Sequence, residues 1–206
     1  MHESWTRAIR AVARQAMTPA DDGRVEWTGR LLVWGLLAWF GVQTATTGYQ
    51  DVVGETAPWS YYLLHRVNLV FHEAGHVLFS PFGDFLMVLG GSLLQVLVPL
   101  VVSGAFLFRQ ANNFGASVGL WWTGQSLADV AVYIRDAREL RLQLLGGGTG
   151  ADRPGWHDWE NLLGRLGLLE QERIIAAVVG LSGLALMVLA LVWGAALLRG
   201  QHRSLG

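Results

Sequence analysis

Phe71-His72-Glu73-Ala74-Gly75-His76 lies inside an apolar run covering residues 61–82. On a helix, residues four apart share a face, so His72 and His76 can bind one metal ion, and Glu73 can reach a water on that ion. HExxH is short and also occurs by chance in proteins that bind no metal. Here three titratable groups fall within five positions of a membrane-length apolar run. Ionisable groups cost free energy in hydrocarbon and seldom occur there without a function. His65, Asn68, His72 and His76 extend the same polar stripe at spacings of three, four and four. Gly75, with no side chain, leaves room beside the pair for a packed helix or a substrate.

The 206-residue chain outside this stretch is rich in apolar residues and Trp and low in charge, which reads as an integral membrane protein. It has no Cys, which excludes a disulfide framework, a thiolate metal site and a thiol nucleophile. Net charge is −1 and there is no Lys. The Arg residues form no basic patch with interleaved aromatics, so nucleic acid is excluded as a partner.

Residues 1–30 read as a cytoplasmic lead-in. Trp5, Ile9, Val12 and Ala16 recur at helical spacing, with Arg7, Arg10 and Arg14 off that stripe. Such a helix either lies on an anionic membrane surface or is simply solvated. Spanning segments are expected at 31–47, 61–82, 85–108, 115–134 and 174–198. A polar connection at 135–173 holds a glycine-rich segment, Gly146 to Gly150, and a tail follows at 199–206. The fold expected is therefore an all-α polytopic bundle of about five membrane helices, with HExxH in the second. Helices one to four (31–134) carry the site. Arg is concentrated in the lead-in and the 135–173 connection and absent from 48–60, which places the N-terminus and the connection in the cytoplasm. That points to an inner or plasma membrane protein, although Arg199 and Arg203 would then lie outside.

A catalytic zinc usually has three protein ligands and an open position, so two His leave one to find. In the fourth run Trp122, Gln125, Asp129 and Asp136 share a helical face. Asp129 lies within the apolar part of that run, at about the depth of the His pair, and Asp136 at its end. Asn68, Gln125 and Asp129 can hold substrate backbone or orient the ligands from behind. His157-Asp158 sits between Trp156 and Trp159. The favoured reading makes Asp158 the cap of a short helix over 159–166. The sharper one folds the loop back, so that His157 orients substrate or completes the metal site.

HExxH, the segment Gly91-Ser92-Leu93-Leu94-Gln95, and Asp129-Val130-Ala131-Val132 followed by Asp136-Ala137-Arg138 together resemble the site-2 protease (M50) class of intramembrane zinc peptidases. That class carries a Gly-Pro-x-x-Asn-like segment in the helix after HExxH. Two helices beyond HExxH it carries an Asn-x-x-Pro…Asp-Gly segment whose Asp is the third ligand. Ser, Gln, Asp, Val and Ala here replace the class's Pro, Asn, Asn, Pro and Gly. The resemblance implies one Zn2+ on His72, His76 and Asp136, Glu73 as general base, and peptide-bond hydrolysis in a membrane-anchored protein substrate. Depth alone favours Asp129 as third ligand. Two other readings share the residues: a non-proteolytic metal-binding scaffold or partner-binding protein of the same fold, and a transporter using the polar stripes as an ion path. Substrate identity and oligomeric state have no signature in the sequence.

Overall fold

The computed structural model describes residues 2–20 and 23–205; the side chains of residues 2–4, 7 and 8, and with them Arg7, lie outside the description. The described chain is all-helical: α1 His2–Ala16, α2 Arg24–Thr46, α3 Tyr49–Val53, α4 Trp59–Phe79, α5 Asp84–Phe108, α6 Asn113–Arg135, α7 Asp158–Arg165 and α8 Glu172–Ser204, with short 3-10 turns at Ser80–Phe82 and Leu169–Gln171. Among the described residues the only β pairing is an isolated bridge, Gln143 to Thr149, in the 135–173 connection.

Two segments, Asp84–Phe108 and Leu169–Ser204, are long and apolar enough to cross a membrane. A 25-residue helix such as α5 is about 37 Å long at 1.5 Å per residue, more than the roughly 30 Å of bilayer hydrocarbon. The other long helices, α2, α4 and α6, carry more polar groups. α2 starts at Arg24, seven residues before the apolar run begins, because a polar turn extends a helix as readily as an apolar one.

Burial is inverted relative to a water-soluble bundle. Asn68, Gln95, Gln125, Ser126 and Asp129 are buried, while Val70, Val77, Val101, Ile174, Leu181 and Val192 are exposed. Small residues let the helices approach closely. A Cβ on Gly75 of α4 would strike the Gly90 carbonyl of α5, and one on Gly183 of α8 would lie 2.5 Å from the Gly124 carbonyl of α6. Apolar clusters fill the rest, with Trp121, Phe40, Met187 and Ala190 joining α6, α2 and α8.

The lead-in is fastened to the bundle. Gln15 Nε2 donates to the Leu107 carbonyl at 2.9 Å, and Trp193 Nε1 donates to the Ala16 carbonyl at 2.8 Å. Trp5 and Ile9 on α1 stay exposed.

Candidate metal centre

α4 places His72 and His76 one turn apart, as their spacing requires, and α5 crosses directly over them at Gly90-Gly91. The proton positions follow from what each imidazole faces. Gln95 Nε2 donates to Asp129 Oδ2 at 2.9 Å, so its Oε1 is left as the acceptor that faces His72 Nδ1 at 3.2 Å. His76 Nδ1 faces the Met87 carbonyl at 2.9 Å. Both Nδ1 atoms therefore carry the proton, and both Nε2 atoms present lone pairs.

Those lone pairs meet the carboxylate of Asp158. Its Oδ2 lies 2.9 Å from His72 Nε2 and 3.3 Å from His76 Nε2. Ligand atoms from the three residues fall within 4.8 Å of one another. Three acceptors facing one another repel unless a cation sits among them, either a proton on an imidazole or a metal ion. Zinc bonds of about 2.0–2.2 Å in a tetrahedron would put neighbouring ligand atoms roughly 3.3–3.6 Å apart, beside the 2.9 and 3.3 Å that separate Asp158 Oδ2 from the two Nε2 atoms. Burial alone would raise the Asp158 carboxyl; when the cation is a proton on the imidazoles, Nε2–H hydrogen bonds and charge from His72 and His76 outweigh burial and hold Asp158 below the ordinary carboxylate range.

Asp158 comes from the long connection, which folds back over the bundle. Asp136 causes the fold. Fully buried at the end of α6, it accepts from the Tyr49 hydroxyl, from Arg141 N at 2.9 Å and from Leu142 N at 3.0 Å, and His157 Nε2 lies 3.3 Å from it. Burial pushes its carboxyl up, and His157, Tyr49 and the two backbone donors more than reverse that, so it stays ionised below the usual range. Its oxygens are committed, and it does not stand beside the His pair. Asp136, the third ligand implied by the resemblance, anchors the loop instead, and the carboxylate that stands beside the His pair is that of Asp158.

The short helix also starts one residue earlier than expected. His157, fully buried, is its cap and accepts from Glu160 N through Nδ1; Asp158 is its first residue. The folded-back loop is present, but it brings Asp158 rather than His157 to the His pair. Two bonds hold Asp158 in place: its own N–H donates to the Tyr133 hydroxyl at 3.1 Å, and Trp159 Nε1 donates to Ser92 Oγ on α5 at 3.1 Å.

Asp129 serves another purpose. His65 Nδ1 at 2.9 Å, Asn68 Nδ2 at 3.1 Å and Gln95 Nε2 all face its carboxylate. Asn68 also donates to Gln125 Oε1 at 2.9 Å and accepts from Trp122 Nε1 at 2.9 Å. Asn68, Gln125 and Asp129, read from the sequence as groups behind the ligands, form one network that reaches His72 only through Gln95. Asp129 is thus turned toward His65, Asn68 and Gln95 and away from the two Nε2 atoms. The sequence reading missed Asp158 as a partner of the His pair and Tyr133 as its support. Asp158 was visible as an acid next to Trp at a predicted helix start, a signal equally consistent with a simple cap.

A cavity of about 980 Å³ opens beside the His pair, with Glu73, Tyr133, Arg141, Leu144 and Trp156 among its walls. Glu73 therefore shares one space with His72, His76 and Asp158. No family model, curated protein or solved structure matches this chain.

Proposed function

We propose that this protein is a membrane-embedded zinc peptidase in which His72, His76 and Asp158 hold the metal and Glu73 is the general base. The observation that carries the reading is the convergence of two Nε2 lone pairs and a carboxylate oxygen on one point at the wall of a cavity that Glu73 also lines. Zinc bound there would bring the pKa of a water to about 7 and polarise a carbonyl. Glu73 takes the proton of the attacking water and returns it to the leaving amine. Gln95 and the Met87 carbonyl keep both imidazoles in the metal-binding tautomer. The Tyr133 hydroxyl accepts from Asp158 N, so its own proton is left to give to the substrate carbonyl. The cavity holds a peptide segment only if the segment leaves its helix, since helical amides are already hydrogen-bonded.

The membrane part of the proposal rests on the inverted burial. Exposed Val and Leu on the helix flanks suit lipid, and buried Asn, Gln and Asp are paired inside. Four spans, α2, α5, α6 and α8, fit the packing better than the five expected from the apolar runs. Tyr49, just past α2, bonds Asp136 at the end of α6, and Arg30, near the start of α2, bonds Gln201 near the end of α8. α4 therefore starts and ends on one side, and the N-terminus and the Asp136–Asp158 connection lie on opposite faces. Single Cys residues at Thr46 and Leu145, both exposed and both at the end of the bundle where Tyr49 meets Asp136, are then labelled from the same face of the membrane, and labelling from opposite faces would restore an odd number of spans between them.

The test is zinc content together with cleavage of a membrane-anchored reporter. Wild type carries about one zinc and cleaves. Glu73→Gln carries the zinc and does not cleave. Cleavage by Glu73→Gln at the wild-type rate refutes the assignment of the base. Zinc binding with no cleavage of any membrane-anchored substrate by wild type leaves the metal-binding scaffold as the function.

A further inference from the structure

The two ends of the bundle differ in charge. The lead-in 1–30, the α5–α6 turn at 109–113 and the tail at 199–206 meet at one end. They are tied there by bonds from Gln15 to the Leu107 carbonyl, from Asn113 to the Thr18 carbonyl and from Arg30 to Gln201. These segments carry eight Arg against four acidic residues. The segments at the other end, 47–60, 80–84 and 135–173, carry six Arg against ten acidic residues. Ion pairing follows the same division. Arg135, Arg138, Arg141 and Arg173, at the acidic end, are matched to Glu139 or Glu172. At the basic end Arg10, Arg14, Arg24, Arg109, Arg199 and Arg203 are exposed, and among the described residues their guanidinium groups have no partner.

An apolar surface lies among these charges. On α1, Trp5, Ile9 and Val12 fall on one helical face and Met17 follows; all are exposed, Trp5 by 69% and Ile9 by 65%. Arg10 and Arg14 lie on the opposite face. The last turn of α1 is fixed where α5 ends, by Gln15 on Leu107 and by Trp193 Nε1 on the Ala16 carbonyl. With α5 and α8 crossing the bilayer, that is the level at which acyl chains give way to headgroups. A helix held there can move its apolar stripe out of water without leaving its anchor, and headgroup anions can answer the guanidinium groups that the protein leaves unmatched. We propose, resting on the four spans, that the basic end docks on an anionic lipid leaflet. α1 lies in the interface with Trp5, Ile9 and Val12 turned toward the acyl chains, and the exposed Arg residues stand among the headgroups. The end that carries the metal centre then opens at the opposite face of the membrane.

The chain has no Cys, so Ile9→Cys and Ala11→Cys each take a single nitroxide, one on the apolar stripe and one on the polar face. The full chain is reconstituted into vesicles of phosphatidylcholine alone and of phosphatidylcholine and phosphatidylglycerol in equal parts. Relaxation by oxygen and by a water-soluble nickel chelate reads the ratio of immersed to water-exposed label. In the anionic vesicles the Ile9 label is immersed and the Ala11 label faces water. An Arg near an anionic surface contributes about 1 kcal/mol, so Arg10→Gln with Arg14→Gln lowers the ratio at Ile9 roughly 30-fold. Phosphatidylcholine alone lowers it at least as far. A water-exposed Ile9 label in the anionic vesicles overturns the proposal, and so does equal immersion in both compositions and in the double variant. Extraction at alkaline pH separates this failure from that of the spans. Protein that washes off the vesicles refutes the spans and the docking together, whereas retained protein with a water-exposed Ile9 label refutes the docking alone.

Discussion

Replacing Gly91 by Ala adds one methyl group at the point where α5 crosses the His pair. The new Cβ would lie 2.7 Å from His72 Nε2 and 2.7 Å from both Cε1 and Nε2 of His76. Ordinary contact is about 3.5–4.0 Å, so the overlap is about 0.8 Å or more, against the two atoms that must point at the metal. Overpacking of this kind typically costs about 1–3 kcal/mol, and the better helix propensity of Ala returns up to about 1 kcal/mol. The net loss, about 0–3 kcal/mol, is small beside a usual stability of about 5–15 kcal/mol, so the variant folds. Metal binding suffers more, because relief of the clash swings both imidazoles away from Asp158. Loss of outer support alone costs about 10- to 100-fold in metal affinity, and displacement of two ligands should reach at least the upper end. The assay is zinc titration against a competing chelator, with thermal unfolding in the same detergent. Gly104→Ala, in the same helix, is the control: the nearest atom to its Cβ is Phe108 Cδ2 at 4.0 Å, so zinc affinity is unchanged and stability rises slightly. Wild-type zinc affinity in Gly91→Ala would refute the described crossing of α5 over the Nε2 edges.

Gln95→Leu removes the acceptor that fixes the His72 tautomer, and zinc affinity falls about 10- to 100-fold with the ligands intact; chelator competition reads it. Asp136 gives the fold a pH dependence. Its carboxyl lies below the ordinary range when folded, so the unfolded chain takes up the proton first as pH falls. The stability it provides is complete above about pH 4 and is lost as pH drops through the folded value; Asp136→Asn lowers stability at neutral pH and flattens the acid limb of a pH–unfolding series. Trp159→Phe deletes the bond to Ser92 and loosens α7, costing about 1 kcal/mol in unfolding and weakening zinc retention without changing the cavity wall.

Much of the scaffold was legible because it is written in local pattern. The apolar runs at 85–108 and 174–198 became α5 and α8, and the three-four spacing from His65 to His76 became one face of α4. The face shared by Trp122, Gln125 and Asp129 is the one that meets Asn68. Periodicity reports which residues share a face, but not which distant segment covers it. Asp158 reaches the His pair only because Asp136 gathers Tyr49, Arg141 and Leu142, so the ligand depends on contacts made far along the chain. At Asp136 an acid at a helix end suits a ligand and an anchor equally well, and only the loop's own N–H groups decide between them. Hydropathy likewise marked the apolar part of α2 but not its first seven residues, since backbone hydrogen bonding continues where the apolar pattern stops.

The most direct test is the zinc stoichiometry of Asp158→Ala beside Asp129→Asn and wild type, each purified in detergent without chelator. The account predicts about one zinc per chain in wild type and in Asp129→Asn, and almost none in Asp158→Ala, since two His make too few ligands for a stable tetrahedral site. Full zinc content in Asp158→Ala would contradict it.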